Sequence, residues 1–389
     1  MFIGEDIIQK DGRIISKSKL ELLFVSLTLD MGAYLSLLSF ILFAGIFSSI
    51  LPQEKGPRAF LCFFTFFLFF AFSAGRSFDV GGDLSQYLPE YHDIKSISFY
   101  DLIQNGYGSR EYGFLIIEKI FSYFLPSERG YLVWTSFVIL FLYFYAISKY
   151  SQNTFLSIFL FCTLIFGNTL NILRASISVA LGLCSLKSVV DRKFVSFLLY
   201  VLGATLIQRT AITLLPLYFL YGRKYNPWLI IIFMLGALFA SFLLEGNSLM
   251  TFISTYIQTY SSLEDTDYIL EKSSGISPMS VLLCGLTILG MWVHSMRSRK
   301  DPMLEFYVYV IAFATVIQFF SSVFVLMNRI SYFYYSFIIF YVPLLISRFN
   351  RIGNRRFFKV GFMFFFAIFY FYGLLENVQH IYPYKFFWQ

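Results

Sequence analysis

The sequence predicts an all-α, polytopic integral membrane protein with about 12 membrane-crossing helices, including two short-helix hairpins. Three observations lead there. Of its 389 residues, 58% are hydrophobic, 21% aromatic and only 14% charged, against about 25% charged in a soluble domain. Apolar runs recur along the whole length, several of them near the roughly 17–25 residues that cross a hydrocarbon core. The positive charges, which give a formal net charge of +7, gather in short connectors between those runs. That distribution is a topology signal and not the basic patch of a nucleic-acid binder. The whole chain, 1–389, reads as one transmembrane domain.

Runs 31–51, 59–75, 131–148, 227–244 and 278–296 are the clearest single spans. Four connectors are strongly basic: 187–193, 223–224, 297–300 and 348–359. Short Lys/Arg-rich loops stay inside, so an even number of crossings separates each neighbouring pair. Two helices, 303–327 and 330–346, fit between the last two connectors and turn outside at Asn328-Arg329. Spans 227–244 and 278–296 are joined by 245–277, an acidic stretch with Lys272 as its sole positive charge, which suits a second outer loop.

Between Lys193 and Arg223 only 29 residues remain, fewer than the about 40 that two full spans need. Run 194–220 is interrupted by Gln208-Arg209-Thr210 and reads as two short helices meeting in a polar turn in the outer half of the membrane. Run 155–186 reads alike, with Gly167-Asn168-Thr169 and Asn171…Arg174 at its middle. Polar groups at that depth are tolerated only inside protein or beside a wet cavity, so the hairpins imply a cavity open to the outside. Counting back makes 76–130 a long outer loop and puts the N-terminus outside, with room for a short amphipathic helix before the first span. Within the loop, 112–125 carries Glu118 and Lys119 in an apolar stretch and reads as a helix lying in the outer interface.

Cys62, Cys162, Cys184 and Cys284 lie in apolar runs and read as buried small hydrophobes without metal or disulfide spacing. No Walker loop, dinucleotide fingerprint or long repeat is present.

Polar groups collect on the outer face. The loop opens with Arg76, Asp79, the paired Gly81-Gly82, Asp83 and Tyr87. Arg110, Glu111, Tyr112, Asn171, Arg174, Gln208, Arg209, Asn328 and Arg329 fall at the same level. Each arginine alone also fits a snorkelling side chain at a helix end, a reading weakest for Arg174 and Arg209 inside the hairpins. Several guanidinium groups around one cavity suit a diphosphate, because arginine forks bind phosphate oxygens bidentately and stay charged. A carboxylate beside them serves as general base, its pKa held down by the arginines.

Four segments resemble the EpsG and Wzy family of bacterial surface-polysaccharide (O-antigen) polymerases. They are Arg76…Val80-Gly81-Gly82-Asp83…Tyr87, Glu111-Tyr112-Gly113-Phe114, Asn171-Ile172-Leu173-Arg174 and Asn328-Arg329…Tyr332. The second has Tyr112 where the family has proline. A fifth departs, with Gln208-Arg209-Thr210-Ala211 where the family often carries His-x-Ser-Ala. Gln208 cannot act as acid or base, so binding is the role expected there.

The resemblance implies a glycosyltransferase of exopolysaccharide or lipopolysaccharide synthesis, multi-pass in the bacterial inner membrane, with its active site facing the periplasm. It would join polyprenyl-diphosphate-linked oligosaccharide repeat units. On that reading Arg76, Arg174, Arg209 and Arg329 grip the diphosphate. Asp83, or else Asp79 or Glu111, takes the acceptor proton, Tyr87 and Tyr112 meet the sugars, and Asn171, Gln208 and Asn328 complete substrate binding. No cofactor is required, with a divalent metal on Asp79 and Asp83 as the alternative. Implied partners are the lipid-linked substrate, the bilayer, a chain-length regulator and a flippase, and no nucleic acid. The competing readings are a repeat-unit flippase or transporter, and another lipid-linked-sugar glycosyltransferase or ligase.

Overall fold

The computed structural model describes residues 7–10, 13–16, 31–50, 55–108, 110–223, 225–245, 276–297, 301–349, 352–377 and 379–388. Strands β1 (Ile7–Lys10) and β2 (Arg13–Ser16) pair antiparallel, Ile8 opposite Ile15, where an amphipathic helix was open to the sequence. Helices then follow as α1 (Gly32–Ile50), α2 (Lys55–Ala74), α3 (Leu84–Ser96), α4 (Phe99–Asn105), α5 (Tyr112–Phe124) and α6 (Glu128–Tyr150). Next come α7 (Thr154–Asn171), α8 (Leu173–Val190), α9 (Phe194–Ile207) and α10 (Arg209–Leu220), whose first part is a 3-10 turn. The rest are α11 (Pro227–Glu245), α12 (Pro278–Ser295), α13 (Pro302–Phe319), α14 (Val325–Tyr335), α15 (Ile338–Ser347) and α16 (Ile352–Glu376).

Among the described residues, 8 helices are long and apolar enough to cross a membrane, and α14 with α15, bent by 41°, make up to 9. The Gly32–Phe47 part of α1, with α9 and α10, forms shorter apolar pieces. The multi-pass architecture is therefore plain. Burial separates centre from rim: 89% of the α7 span lies inside protein against 17% for α16. The centre is built by α6 packing on α2 and α8, α8 on α9, and α13 on α12 and α14.

The two hairpins differ. Helix α9 rises about 21 Å at 1.5 Å per residue, and α10, half of it 3-10 helix at about 2.0 Å per residue, rises about as far, both short of a roughly 30 Å hydrocarbon core. They meet at Gln208, whose extended backbone (φ −147°, ψ 112°) breaks the helix. Helices α7 and α8 are instead full spans of 18 residues each, turning at Ile172 alone. The polar stretch expected to split them is absorbed by the bundle. Asn168 donates to Tyr335 Oη at 2.7 Å and accepts from Gln379 Nε2 at 3.1 Å, while Thr169 donates to the Phe166 carbonyl. The turn after α13 also comes earlier than expected. Ser321 and Ser322 hydroxyls return to the Gln318 and Phe319 carbonyls and end the helix. Asn328 and Arg329 consequently sit inside α14 and not in the turn.

The loop 76–130 is itself folded, with α3 packed on α5 and α6, and α5 on α9. Lys119 Nζ caps the last turn of α3 through the Ile94 and Lys95 carbonyls, at 3.1 and 2.9 Å. Glu118 is buried too, and burial pushes its carboxyl up to about 8. The charged pair on α5 therefore points into protein. The expected loop 245–277 falls almost wholly outside the described residues.

A C-terminal strap, 379–388, lies back over the loop face. Phe387 N donates to Gly75 O at 3.0 Å, Ser77 N to Lys385 O at 2.8 Å and Gly81 N to His380 O at 2.9 Å. Gly81 has φ +105°, and a Cβ there would lie 2.4 Å from the Leu170 carbonyl. Gly81→Ala is expected to destabilise the detergent-solubilised protein by about 1–3 kcal/mol, the scale of backbone strain. Gly203→Ala, facing open space in α9, is expected to leave the thermal midpoint unchanged or slightly higher.

Candidate active site

The sequence-flagged groups meet where the N-termini of α3, α5 and α8 approach one another. Asp83 stands just before α3, and its side chain makes no capping bond. Its backbone N–H donates to Asn171 Oδ1 at 2.9 Å. The start of the loop is thereby tied to the α7–α8 turn, on the same face.

Glu111 precedes α5 and joins three elements. Its Oε2 accepts from Arg174 Nη1 at 2.5 Å, and its Oε1 accepts from the Arg209 backbone N–H at 3.0 Å. Gly113 makes this approach feasible, since a Cβ there would lie 2.6 Å from the Leu206 carbonyl. Arg174 also donates from Nε to Tyr87 Oη at 3.3 Å. The Tyr87 ring is buried, with Arg110 4.8 Å from its centroid and Arg174 at 5.8 Å on α8. Arg110 in turn pairs with Glu90. Tyr87 thus orders two guanidinium groups and is not open to a sugar, whereas Tyr112 is half exposed.

Burial raises the Asp83 carboxyl above the ordinary carboxylate range, opposed in order by the charges of Arg329, Arg174, Arg110 and His380. The net direction is upward, opposite to the depression expected from arginines alone. Desolvation outweighs the nearby guanidinium charges because this carboxylate is partly withdrawn from water.

The remaining candidates divide. Arg209 and Asn328 are exposed, and Gln208 and Arg329 half-buried. Asn328 Oδ1 accepts from Gln318 Nε2 at 3.2 Å. Asp79 is exposed, apart from the protected position of Asp83. Arg76 lies outside the group. It is 0% exposed, and Nη1 bonds the Ser73 carbonyl and hydroxyl at 3.2 Å. Its electrostatic neighbours are Tyr384, Tyr34, Tyr131 and Arg129, and burial pulls the guanidinium down to about 10. Its side chain is therefore enclosed by protein, while its backbone bridges to Phe386 of the strap. Among the described residues no three His, Cys, Asp or Glu side chains gather as a metal site. His380, on the strap, faces this site in a left-handed backbone conformation (φ 51°). Sequence reasoning left it out because nothing local links 380 to 83.

The EpsG family model matches residues 59–386. The chain belongs to the EpsG family. The match takes in every element of the site just described and the strap as far as residue 386. Among curated proteins, this EpsG-family chain is similar to the amylovoran biosynthesis protein AmsC of Erwinia amylovora. Identity is 26% over 168 residues, which is 41% of this chain and 44% of AmsC. The chain thus spans under half the length of that relative. No solved structure matches.

Glu111→Ala is expected to destabilise the fold by about 3 kcal/mol, the scale for stranding one partner of a buried ion pair. Thermal unfolding in detergent reads it, with Asp79→Ala as the surface control.

Proposed function

We propose that this chain is a polysaccharide polymerase. It transfers a growing glycan from polyprenyl diphosphate onto the sugar of a new lipid-linked repeat unit, at the periplasmic face of the bacterial inner membrane. The observation that carries the reading is Asp83 held in the combined field of Arg329, Arg174 and Arg110 at one end of a membrane bundle. Membership of the EpsG family supports it, as does similarity to a protein of amylovoran biosynthesis.

The chemistry follows from the charges. The acceptor hydroxyl attacks the anomeric carbon of the donor. Its oxygen forms the new C–O bond, the bond from that carbon to the diphosphate oxygen breaks, and the electron pair leaves with polyprenyl diphosphate. The acceptor proton passes to the Asp83 carboxylate. Arg110, Arg174, Arg209 and Arg329 surround the departing anion as fixed donors, which is how preorganised electrostatics lowers a barrier. The helix N-termini of α3, α5 and α8 add positive potential to the same region. Tyr112, Gln208, Asn171 and Asn328 offer polar contacts to the sugars. A flippase supplies the repeat unit on that leaflet, and a chain-length regulator acts on the product.

Purified protein with a defined polyprenyl-diphosphate repeat unit is expected to make a ladder of products. Asp83→Asn and Arg329→Gln are each expected to slow it by about 100-fold or more, the scale for removing one transition-state donor. A normal ladder from Asp83→Asn would refute the assignment. The pH dependence gives a second test. A base must be ionised to act, so a raised Asp83 pKa places the acid limb of activity above the usual carboxylate value of about 3.9. Arg329 lowers that pKa, so its removal raises it. The residual activity of Arg329→Gln is expected to show its acid limb at higher pH than the parent.

A further inference from the structure

An apolar groove of about 720 Å³ runs between α12 and α16. Pro278 and Phe369 line one end, Leu289 and Phe357 the other, with Gly285 and Gly361 between them. The two helices run antiparallel, so the groove extends about 17 Å along the helix axes at 1.5 Å per residue.

Its upper mouth adjoins the site. Ser277 caps α12 immediately before Pro278, and Gln318 Nε2 donates both to Ser277 Oγ at 3.4 Å and to Asn328 Oδ1 at 3.2 Å. The next residue is Arg329, the strongest of the charges acting on Asp83. The other wall, α16, leads directly into the strap whose His380 carbonyl holds Gly81. Both walls therefore descend from the charged cluster toward the opposite face.

The two glycines are not explained by protein packing. A Cβ at either would meet nothing within 4 Å, and glycine weakens a helix interior relative to alanine. What their missing side chains leave is width in the slot.

We infer that this groove holds the polyprenyl tail of the lipid-linked donor while its diphosphate lies among Arg329, Arg174 and Arg110. The inference rests on the polymerase reading above and assigns its lipid-binding site. A tail fixed at its diphosphate end enters the groove mouth as an intramolecular event, with the advantage in effective concentration that tethering confers. A phospholipid of the bulk bilayer has no such anchor. The walls ask only for apolar contact, which suits a hydrocarbon chain without hydrogen-bonding groups.

The test uses a polyprenyl diphosphate carrying a photoreactive diazirine near the head end of its tail, added to the full chain in phosphatidylglycerol–phosphatidylethanolamine vesicles. Cross-links are expected on peptides of α12 and α16, competed by unlabelled polyprenyl diphosphate and not by added phospholipid. Gly285→Phe and Gly361→Leu, which project into open space, are expected to cut this labelling at least tenfold, while Gly285→Ala keeps it. Labelling spread over α11 and the other rim helices, or equal competition by phospholipid, would overturn the inference. So would undiminished labelling in both bulky variants. Binding is read without turnover. A labelled groove in a protein that makes no ladder removes the polymerase reading alone. A normal ladder with no groove labelling removes the groove alone.

Discussion

The structure depends on how one carboxylate neutralises positive charge at the end of a membrane bundle. Arg174 is the second residue of α8, where the helix dipole is positive and a cation is disfavoured. It has little access to water there. Glu111 offsets that cost by accepting from Arg174 and from the Arg209 amide with its two oxygens. One side chain before α5 thus fixes the first turn of α8 and the break between α9 and α10. Without it, three helix ends would repel one another at close range.

Close backbone approach makes that junction geometrically available. Gly113 lets α5 settle on the end of α9, and Gly81 lets the loop settle on the end of α7. Asn171 then takes the amide of Asp83. The short α9–α10 hairpin supplies depth. Neither arm is long enough to span a full bilayer, and Glu111 at the start of α5 reaches the break through the Arg209 amide. The strap closes the assembly from above through backbone bonds to Gly75, Ser77 and Gly81.

Much of this was legible in the sequence, for physical reasons that differ by element. Three consecutive polar residues in a run too short for two spans announced the α9–α10 break. The same logic failed for α7 and α8, because Asn168 and Thr169 find partners inside the bundle and a helix can then continue through them. Arg174, Glu111 and Asp83 could be grouped by membrane level alone, since charge is costly at any other depth. Arg76 occupied the same level yet turned inward, and a one-dimensional reading of depth carries no information about which way a side chain points. Helices α3 and α4 were missed because their apolar periodicity is weak and Pro89 interrupts the first. Such short helices draw their stability from tertiary packing. The strap was invisible, since its bonds join residues some 300 positions apart.

The two carboxylates of the site are driven to different work by their surroundings. Glu111 is 9% exposed and has both oxygens committed to protein donors. It is a fixed part of the junction. Asp83 engages the framework through its amide and leaves its carboxylate out of the capping bond. Desolvation raises its proton affinity while the charges of Arg329, Arg174 and Arg110 oppose that rise. Tyr87 extends the same division to the cations. It bonds Arg174 and stacks beneath Arg110, so two guanidinium groups are oriented before any ligand arrives. A donor diphosphate would then meet charges already in place, and little of its binding energy would go to ordering them.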